Sequence, residues 1–573
     1  MIQKKRWNLL CRQHKSQDIK RISEEFNIPP IVATILLNRN VTDVGSFLNT
    51  NTDGFLDPFL MLGMDKACER IISAIKNGEK ITVYGDYDVD GITSTAILVS
   101  FLEKHGAKAD YYIPDRLEEG YGINPAALLR LSEGGTKLLI TVDCGITAKS
   151  EIEKAKALGM DVIVTDHHEC KEELPEADVI LNPKQPACPY PFKKLAGVGV
   201  VFKLLEALTL KLKYHLKELY DEYLDIVALG TIADVMPLEG ENRIIVKKGL
   251  ELLPYTANKG VRAILKTGEI DQSPITTTTV GFVIAPRINA AGRVGDPKTA
   301  VKLLLATDDV CATKYAELLT EENRERQETE LSILNEAISL IQNDKSFSDD
   351  YVLIISHSGW HHGIIGIVAS KISEKYGKPT ILISTENGMG KGSGRSIKGF
   401  NLFYALKNSS DLLLKYGGHE LAAGLSLQAE NIDAFRKSIN AYAKVNLTLE
   451  DFIPVIDIDS ELPLKYVSLA TLERLTVLEP YGMGNPQPVF YAKNLTVIST
   501  RILKAGKHIK LILTDGDSIN SAIGFNMGEC GSEISQGDKV DIVFTLSVNE
   551  FKGQRSAQIV LKDIKKSDNN EKN

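Results

Sequence analysis

Residues 84–91 read YGDYDVDG, with Asp86, Asp88 and Asp90 alternating over five positions. Carboxylates this close repel one another unless a positive charge sits among them. An EF-hand calcium loop opens in a similar way, but it needs a bidentate Glu at its twelfth position, and counting from Asp86 that position is Ile97. The flanks also argue against it. Upstream, EKITVYG carries β-branched Ile81 and Val83 and reads as a strand; downstream, ITSTAILVSFLEKHG reads as an amphipathic helix with a Ser/Thr-rich start and a stop at Gly106. The aspartates therefore sit in a strand-to-helix loop, the position at which open α/β sheets bind ligands. The plainer alternative is a solvated turn whose carboxylates cap the helix.

The same pattern repeats downstream. KLLITVDCG (137–145) is a buried strand ending in Asp143, and MDVIVTDHH (160–168) another ending in Asp166, His167 and His168. The helical TAKSEIEKAKALG lies between them, as expected for right-handed βαβ units and a parallel sheet. A helix through YLDIVALG then leads to TIADVMPL with Asp234. Each acidic residue alone reads as a helix cap or a loop residue. Four acidic clusters at successive element ends instead form a strongly repulsive cleft unless divalent cations occupy it. Oxygen ligands with an imidazole and no thiolate suit Mn²⁺ or Mg²⁺. The number of ligands suits two ions, the arrangement used to hydrolyse phosphate esters.

The chain has 573 residues, 43% hydrophobic and 25% charged, with a formal net charge of −8. These values describe a globular, water-soluble protein of several domains without a uniformly basic surface. The expected location is cytoplasmic: the N-terminal MIQKKRWNLLCRQHK has no apolar run, no segment is of membrane-spanning length, and seven scattered cysteines include no C-x-x-C.

The fold class expected is α/β. A parallel-sheet domain is joined by a long helix to a smaller α/β domain, followed by a C-terminal β-barrel. The boundaries read as an N-terminal helical segment (1–50), the first α/β domain (51–307), a bridging helix (308–344), the second α/β domain (345–450), the barrel (451–566) and a disordered tail (567–573). The bridging segment is too polar around TEENRERQETE to sustain an apolar heptad seam. GMGKGSGRS and KYGGHELAAG read as glycine-rich loops. From about Val455, short alternating segments point to a small barrel.

The ordered set GDYDVDG, VDCG, TDHH and GTIADVMPL resembles the motifs of the DHH phosphoesterase superfamily. PRINAAGR (286–293) and GGHELAAG resemble its RecJ branch and the associated DHHA1 domain, and the resemblance covers nearly all of the chain after the first 50 residues. It implies a 5′-to-3′ exonuclease that cuts single-stranded DNA into 5′-mononucleotides in DNA repair and recombination, using two Mn²⁺ or Mg²⁺ ions. Asp88, Asp90, Asp143, His167 and Asp234 are the implied metal ligands, with Asp143 bridging; Asp86 is either a ligand or a neighbour of the ligands. His168 would contact the scissile phosphate or the attacking water, with Asp166 orienting His167. Arg287 would neutralise charge on the scissile phosphate. Arg116, Asn289, Arg293, Ser393, Arg395 and His419 would bind substrate, with Ser393 and Arg395 at the 5′-terminal phosphate. His361 and His362 in GWHHG read as substrate or packing residues. The barrel resembles an OB-fold, offering Arg501, Lys504, Lys507, Lys510, Lys552 and Arg555 beside Phe525, Phe544 and Phe551 for a single strand, although each phenylalanine is more often core. The resemblance implies a monomer, with a helicase and a single-strand-binding protein as partners. Two other readings remain open from sequence: a relative acting on cyclic dinucleotides, short oligonucleotides or polyphosphate, and a non-catalytic scaffold.

Overall fold

The computed structural model describes residues 5–10, 16–116, 119–120, 122–270, 274–504, 506–551 and 553–567. Two compact units form. One spans Thr50–Thr448 with Gly482–Gly484, and the other combines the N-terminal residues up to Asn49 with Leu449–Tyr481 and Asn485–Asn573.

The larger unit is built on a five-stranded parallel sheet: β1 (Lys80–Gly85), β2 (Lys108–Tyr112), β3 (Thr136–Val142), β4 (Asp161–Thr165) and β5 (Val179–Leu181). The spatial order is β2-β1-β3-β4-β5. This is a doubly wound order, and its direction reverses between β1 and β3, where the crevice for a ligand opens at the carboxyl ends of the strands. The YGDYDVDG loop leaves β1 and Asp143 follows β3, so both acidic motifs lie at that switch point. β1, β3 and β4 read as nearly continuous apolar runs because helices cover both faces, whereas the edge strand β2 is more polar and exposed. α1 (Val89–Lys104), α2 (Gly197–Lys211) and α3 (Leu216–Ala233) bury Ile92, Leu98, Val201, Leu204 and Val227 in one core with Ile81, Val83 and Ile140.

Three further helices matter for the site. α4 (Ala285–Val294) carries PRINAAGR and continues from a π-helical turn at Val280–Ile284. α5 (Asp309–Asn343) is the bridging helix, about 50 Å long at 1.5 Å per residue. α6 (Ile365–Tyr376) belongs to the second α/β layer. The buried residues of α5 are Ala312, Ala316, Leu319, Asn323, Arg326, Glu330, Ile333 and Ala337. Their spacing alternates four and three along the whole helix. A heptad-spaced buried face is therefore present, and it runs straight through the polar stretch in which no apolar seam could be read.

The second α/β layer is a five-stranded sheet of β6 (Leu353–Ser358), β7 (Thr380–Glu386), β8 (Met389–Arg395), β9 (Lys415–Gly418) and β10 (Ala422–Gln428), ordered β9-β10-β8-β7-β6. The segment read as a glycine-rich loop is β8, a central strand paired on both sides. Its alternating glycines are a packing requirement. A Cβ at Gly390, Gly392 or Gly394 would lie 2.9 Å from Leu427, 2.9 Å from Leu425 or 2.7 Å from Leu402. Ser393 and Arg395 alternate with these glycines and so face the other side of the sheet. KYGGHELAAG is likewise the β9–β10 hairpin, with His419 exposed in its turn.

The smaller unit contains a closed barrel. Phe490–Leu503, His508–Thr514, Ile519–Gly524, Gln554–Lys566 and Lys539–Phe551 pair in that order, and Phe490–Leu503 also pairs with Lys539–Phe551. The first fifty residues are not helical throughout: Arg6–Leu9 is a strand, parallel to Val455–Ile458. The following helices bury Ile22, Val32, Ile35 and Leu36 in the core that holds Phe490, Leu511 and Phe544. Phe544 packs on Phe490 with ring centroids 6.0 Å apart, so it is a core residue. Phe525 is exposed; Lys552, the Phe551 side chain and residues 568–573 lie outside the described residues.

Candidate metal centre

Local backbone geometry aims the acidic residues at one point. Asp88 caps α1, accepting the Gly91 N–H at 3.0 Å. Asp90, in the first turn of α1, is fully buried and accepts the Gly197 N–H at 2.6 Å and the Val198 N–H at 2.7 Å, the free donors at the start of α2. Asp143 sits at φ 59°, a left-handed conformation that Asp tolerates better than most residues, and its N–H donates to the Thr165 carbonyl at 3.0 Å. A Cβ on Gly197 would fall 2.6 Å from the Asp143 carboxylate, so glycine there leaves room for the acid. Asp234 caps the C-terminus of α3.

The Nε2 atom of His167 lies 3.2 Å from Asp143, 3.5 Å from Asp234 and 3.8 Å from Asp90. One ring nitrogen cannot satisfy three carboxylates, so the centre of the group suits a cation. Ligand atoms of Asp90, His167 and Asp234 lie within 4.8 Å of one another, as do those of Asp86, Asp88 and Asp143, and of Asp143, His167 and His168. Asp143 thus faces both the His167 set and the Asp86–Asp88 set. The buried Oδ1 atoms of Asp86 and Asp143 make no hydrogen bond. Lone pairs left open in a buried nest of oxygens, with an imidazole and no thiolate, fit hard divalent cations.

Burial, and then the neighbouring carboxylates, push the acids of Asp86, Asp90 and Asp143 well above the usual carboxylate range, and Asp234 to about 7. Burial, and then the charge of His168, lower His167 to about 3, which keeps its imidazole neutral and able to bind metal. Burial also pulls His168 down, but its bond to Asp166 outweighs this and raises it to about 9. Asp166 orients His168 rather than the His167 ring. Its Oδ1 accepts His168 Nδ1 at 2.8 Å and the N–H groups of His167 and His168, and its Oδ2 accepts the Ile146 N–H at 2.9 Å.

A cationic group stands beside this nest. Arg116 stacks over Tyr87 with 5.0 Å to the ring centroid. Arg293 of α4 donates to the Gly363 carbonyl at 2.9 Å, linking α4 to the loop before α6. Burial, and then Arg116, Arg326 and Arg395, lower Arg293 to about 10. Ser393 Oγ accepts Arg395 Nη1 at 3.3 Å. A Cβ on Gly366, in the first turn of α6, would lie 2.8 Å from Ser393 Oγ and 3.2 Å from Arg395 Nη2. Glycine therefore opens this corner, and converging guanidiniums make it attractive to an anion. Arg287 donates to the Val283 carbonyl at 2.6 Å while its Nε is buried without a partner. Asn289 is half-buried on α4, and His361 and His362 are half-buried before α6. The His361 ring nitrogen Nδ1 accepts the Gly363 N–H at 3.2 Å. The Gly197–Val198 amides went unread in the sequence, although a glycine opening a helix in LAGVGVV was a signal for acid binding there. Arg326 and Glu330, buried polar residues of α5, carried no such signal.

A doubly wound sheet with an aspartate-rich switch point and an Asp-His-His strand end defines a DHH-type protein. Residues 80–231 match the DHH family N-terminal domain, residues 349–445 the DHHA1 domain and residues 458–563 the RecJ OB domain. The chain belongs to the RecJ family of single-stranded-DNA-specific exonucleases. It is 41% identical to RecJ of Bacillus subtilis (strain 168) over 98% of this chain and 71% of that protein. Identity to RecJ of Escherichia coli (strain K12) is 34%, over 94% and 96%. The structure of RecJ from Thermus thermophilus in complex with Mn²⁺ superposes with a TM-score of 0.84 at 29% identity, covering 98% of this chain and 80% of that one. An exonuclease RecJ bound to manganese matches with a TM-score of 0.60 at 36% identity, over 68% and 98%.

Proposed function

We propose that this chain hydrolyses single-stranded DNA from the 5′ end, releasing 5′-mononucleotides, with a pair of Mn²⁺ or Mg²⁺ ions held by Asp86, Asp88, Asp90, Asp143, His167 and Asp234. The observation that carries this reading is the position of Asp143, which faces both acidic sets with an oxygen that makes no hydrogen bond. Such ions would neutralise the phosphate and make a bound water more acidic. Residues of the chain supply the rest. His168, fixed by Asp166, presents a ring nitrogen toward the reacting group, and Arg287 offers a donor for charge developing on the scissile phosphate. Arg116, Arg293, Ser393 and Arg395 hold the terminal phosphate, with Asn289 and His419 contacting the strand. Water oxygen bonds to phosphorus as the P–O3′ bond breaks. The product is a 5′-mononucleotide, and the shortened strand again carries a 5′-phosphate that fits the same pocket.

The barrel supports a single-stranded substrate. Exposed Arg501 and Lys510 are directly opposed across two strands. Like charges in register are unfavourable until a polyanion compensates them. Lys504, Lys507, Arg555 and Phe525 are also exposed. Duties in repair and recombination, beside a helicase and a single-strand-binding protein, follow from the same reading. The test compares Mn²⁺-dependent release of label from the 5′ end of single-stranded DNA with turnover of a cyclic dinucleotide. Mononucleotide release from the DNA alone is expected. Preferential hydrolysis of the cyclic dinucleotide, or label retained on the strand while the 3′ end shortens, would overturn the proposal.

A further inference from the structure

The turn that carries Arg116 is built around one carboxylate. Glu119 accepts the Tyr112 hydroxyl at 2.7 and 2.9 Å, the Asp115 N–H at 3.0 Å and Arg130 Nη2 at 3.0 Å. The backbone N–H groups of Glu119 and Gly120 return to the Asp115 carbonyl at 2.8 and 3.1 Å. A side chain from the end of the turn therefore closes its beginning and ties both to the last residue of β2. The far side of the loop is held as well. Tyr84, on β1, donates its hydroxyl to the Gly122 carbonyl at 3.2 Å and accepts the Asn124 N–H at 3.0 Å. The Tyr84 and Tyr112 rings lie 5.2 Å apart. These bonds tie Asp115, Glu119, Gly122 and Asn124 to β2 and to β1, and β1 is the strand that leads into Asp86, Asp88 and Asp90. Arg116 lies inside the pinned turn and projects over Tyr87, between Asp86 and Asp88 in sequence.

We propose that Glu119 is a positioning residue for catalysis: it fixes the turn so that the Arg116 guanidinium meets substrate phosphate beside the metal nest. The proposal rests on the reading of Arg116 as a phosphate contact. The carboxylate is well chosen for this task. It accepts three donors from different elements, and only Arg130 among them is a charged group facing solvent. A glutamine keeps an acceptor for the hydroxyl and the backbone amide, whereas an alanine releases the turn.

The test is a double-mutant cycle in the full chain, read as kcat and KM on a 5′-phosphorylated single-stranded oligonucleotide in Mn²⁺. Arg116→Ala should lower kcat/KM by about ten- to a hundredfold, the usual cost of one charge-assisted contact. Glu119→Ala should lower it in the same direction, and the double variant should match Arg116→Ala within about twofold, because the two residues act as a unit. Glu119→Gln should stay near the parent. Tyr112→Phe, which removes a single hydroxyl, should give a smaller loss that also vanishes in the Arg116→Ala background; it keeps the test decisive if Glu119→Ala does not fold. Losses that multiply in the double variant, or a Glu119→Ala enzyme with parental kinetics, would overturn the positioning role. Parental kinetics in Arg116→Ala would instead refute the phosphate contact, and the proposal with it.

Discussion

Asp166 shows how one carboxylate can set the geometry of a neighbouring pair. It holds the His168 ring nitrogen and three backbone amides, and it remains ionised because those donors outweigh its burial. Asp166→Asn replaces one acceptor oxygen by an amide donor. Loss of the bond to His168 is expected to lower kcat by about 10–100-fold, as for partners that orient ligands, with circular dichroism unchanged. Parental kcat would refute the role. A second buried acid, Asp225, affects stability rather than turnover. Burial, against the Thr256 hydroxyl and the Ile226 N–H, raises it to about 6 from an ordinary 3.8. The folded chain then holds this proton more tightly than the unfolded chain. The stabilisation is complete below about pH 3.8 and lost as pH rises through about 6, a difference of about 3 kcal/mol. The melting temperature of Asp225→Asn relative to the parent should therefore rise between pH 4 and pH 7. A constant difference would contradict the shift.

At the scale of elements, β8 carries packing on one face and the proposed end-binding residues on the other: glycines turn toward Leu402, Leu425 and Leu427, and Ser393 and Arg395 occupy the opposite side. Arg395→Ala should reduce the preference for 5′-phosphate over 5′-hydroxyl ends by about ten- to a hundredfold. An unchanged ratio would move the end-binding site elsewhere. The same strand shows what a sequence hides. Every second residue of GMGKGSGR resembles loop composition, because the leucines that require glycine lie far away in the chain. The bridging helix hides its register in another way, since its buried face passes through Asn323, Arg326 and Glu330, and buried polar residues look like solvated ones. Arg326 is paired with Glu330 at 2.5 Å, and Glu330 also takes Lys371 of α6. The strand-end acids were legible because strand, loop and helix each carried a local signature around them. The amides of Gly197 and Val198 were not, because a backbone donor has no letter of its own. Residue names likewise pointed Asp166 at His167, whereas the ring it holds is that of His168, because adjacent histidines look alike in sequence and only the backbone decides which ring reaches the acid.

For the whole molecule, the proposed function divides cutting and holding between the two units. All six proposed metal ligands and the arginine pocket belong to the larger unit, while the barrel shares its core with the N-terminal helices. Cutting the chain before the barrel alone would expose Ile22, Val32, Ile35 and Leu36, so substitution is the better probe. In a variant with Arg501, Lys504 and Lys510 changed to Ala, the slope of log binding constant against log salt for long single strands should fall by about 2, since each neutralised phosphate contributes about 0.7. Cleavage of oligonucleotides a few residues long should stay near parental. Equal loss on short and long strands, or an unchanged slope, would refute the division. The central claim, that this acidic nest is a paired metal centre with Asp143 between the ions, is tested most directly by anomalous diffraction from crystals grown with Mn²⁺. Two peaks are expected about 4 Å apart, one beside Asp90, His167 and Asp234 and one beside Asp86 and Asp88, with Asp143 reaching both. A single peak, or manganese bound away from Asp143, would contradict it.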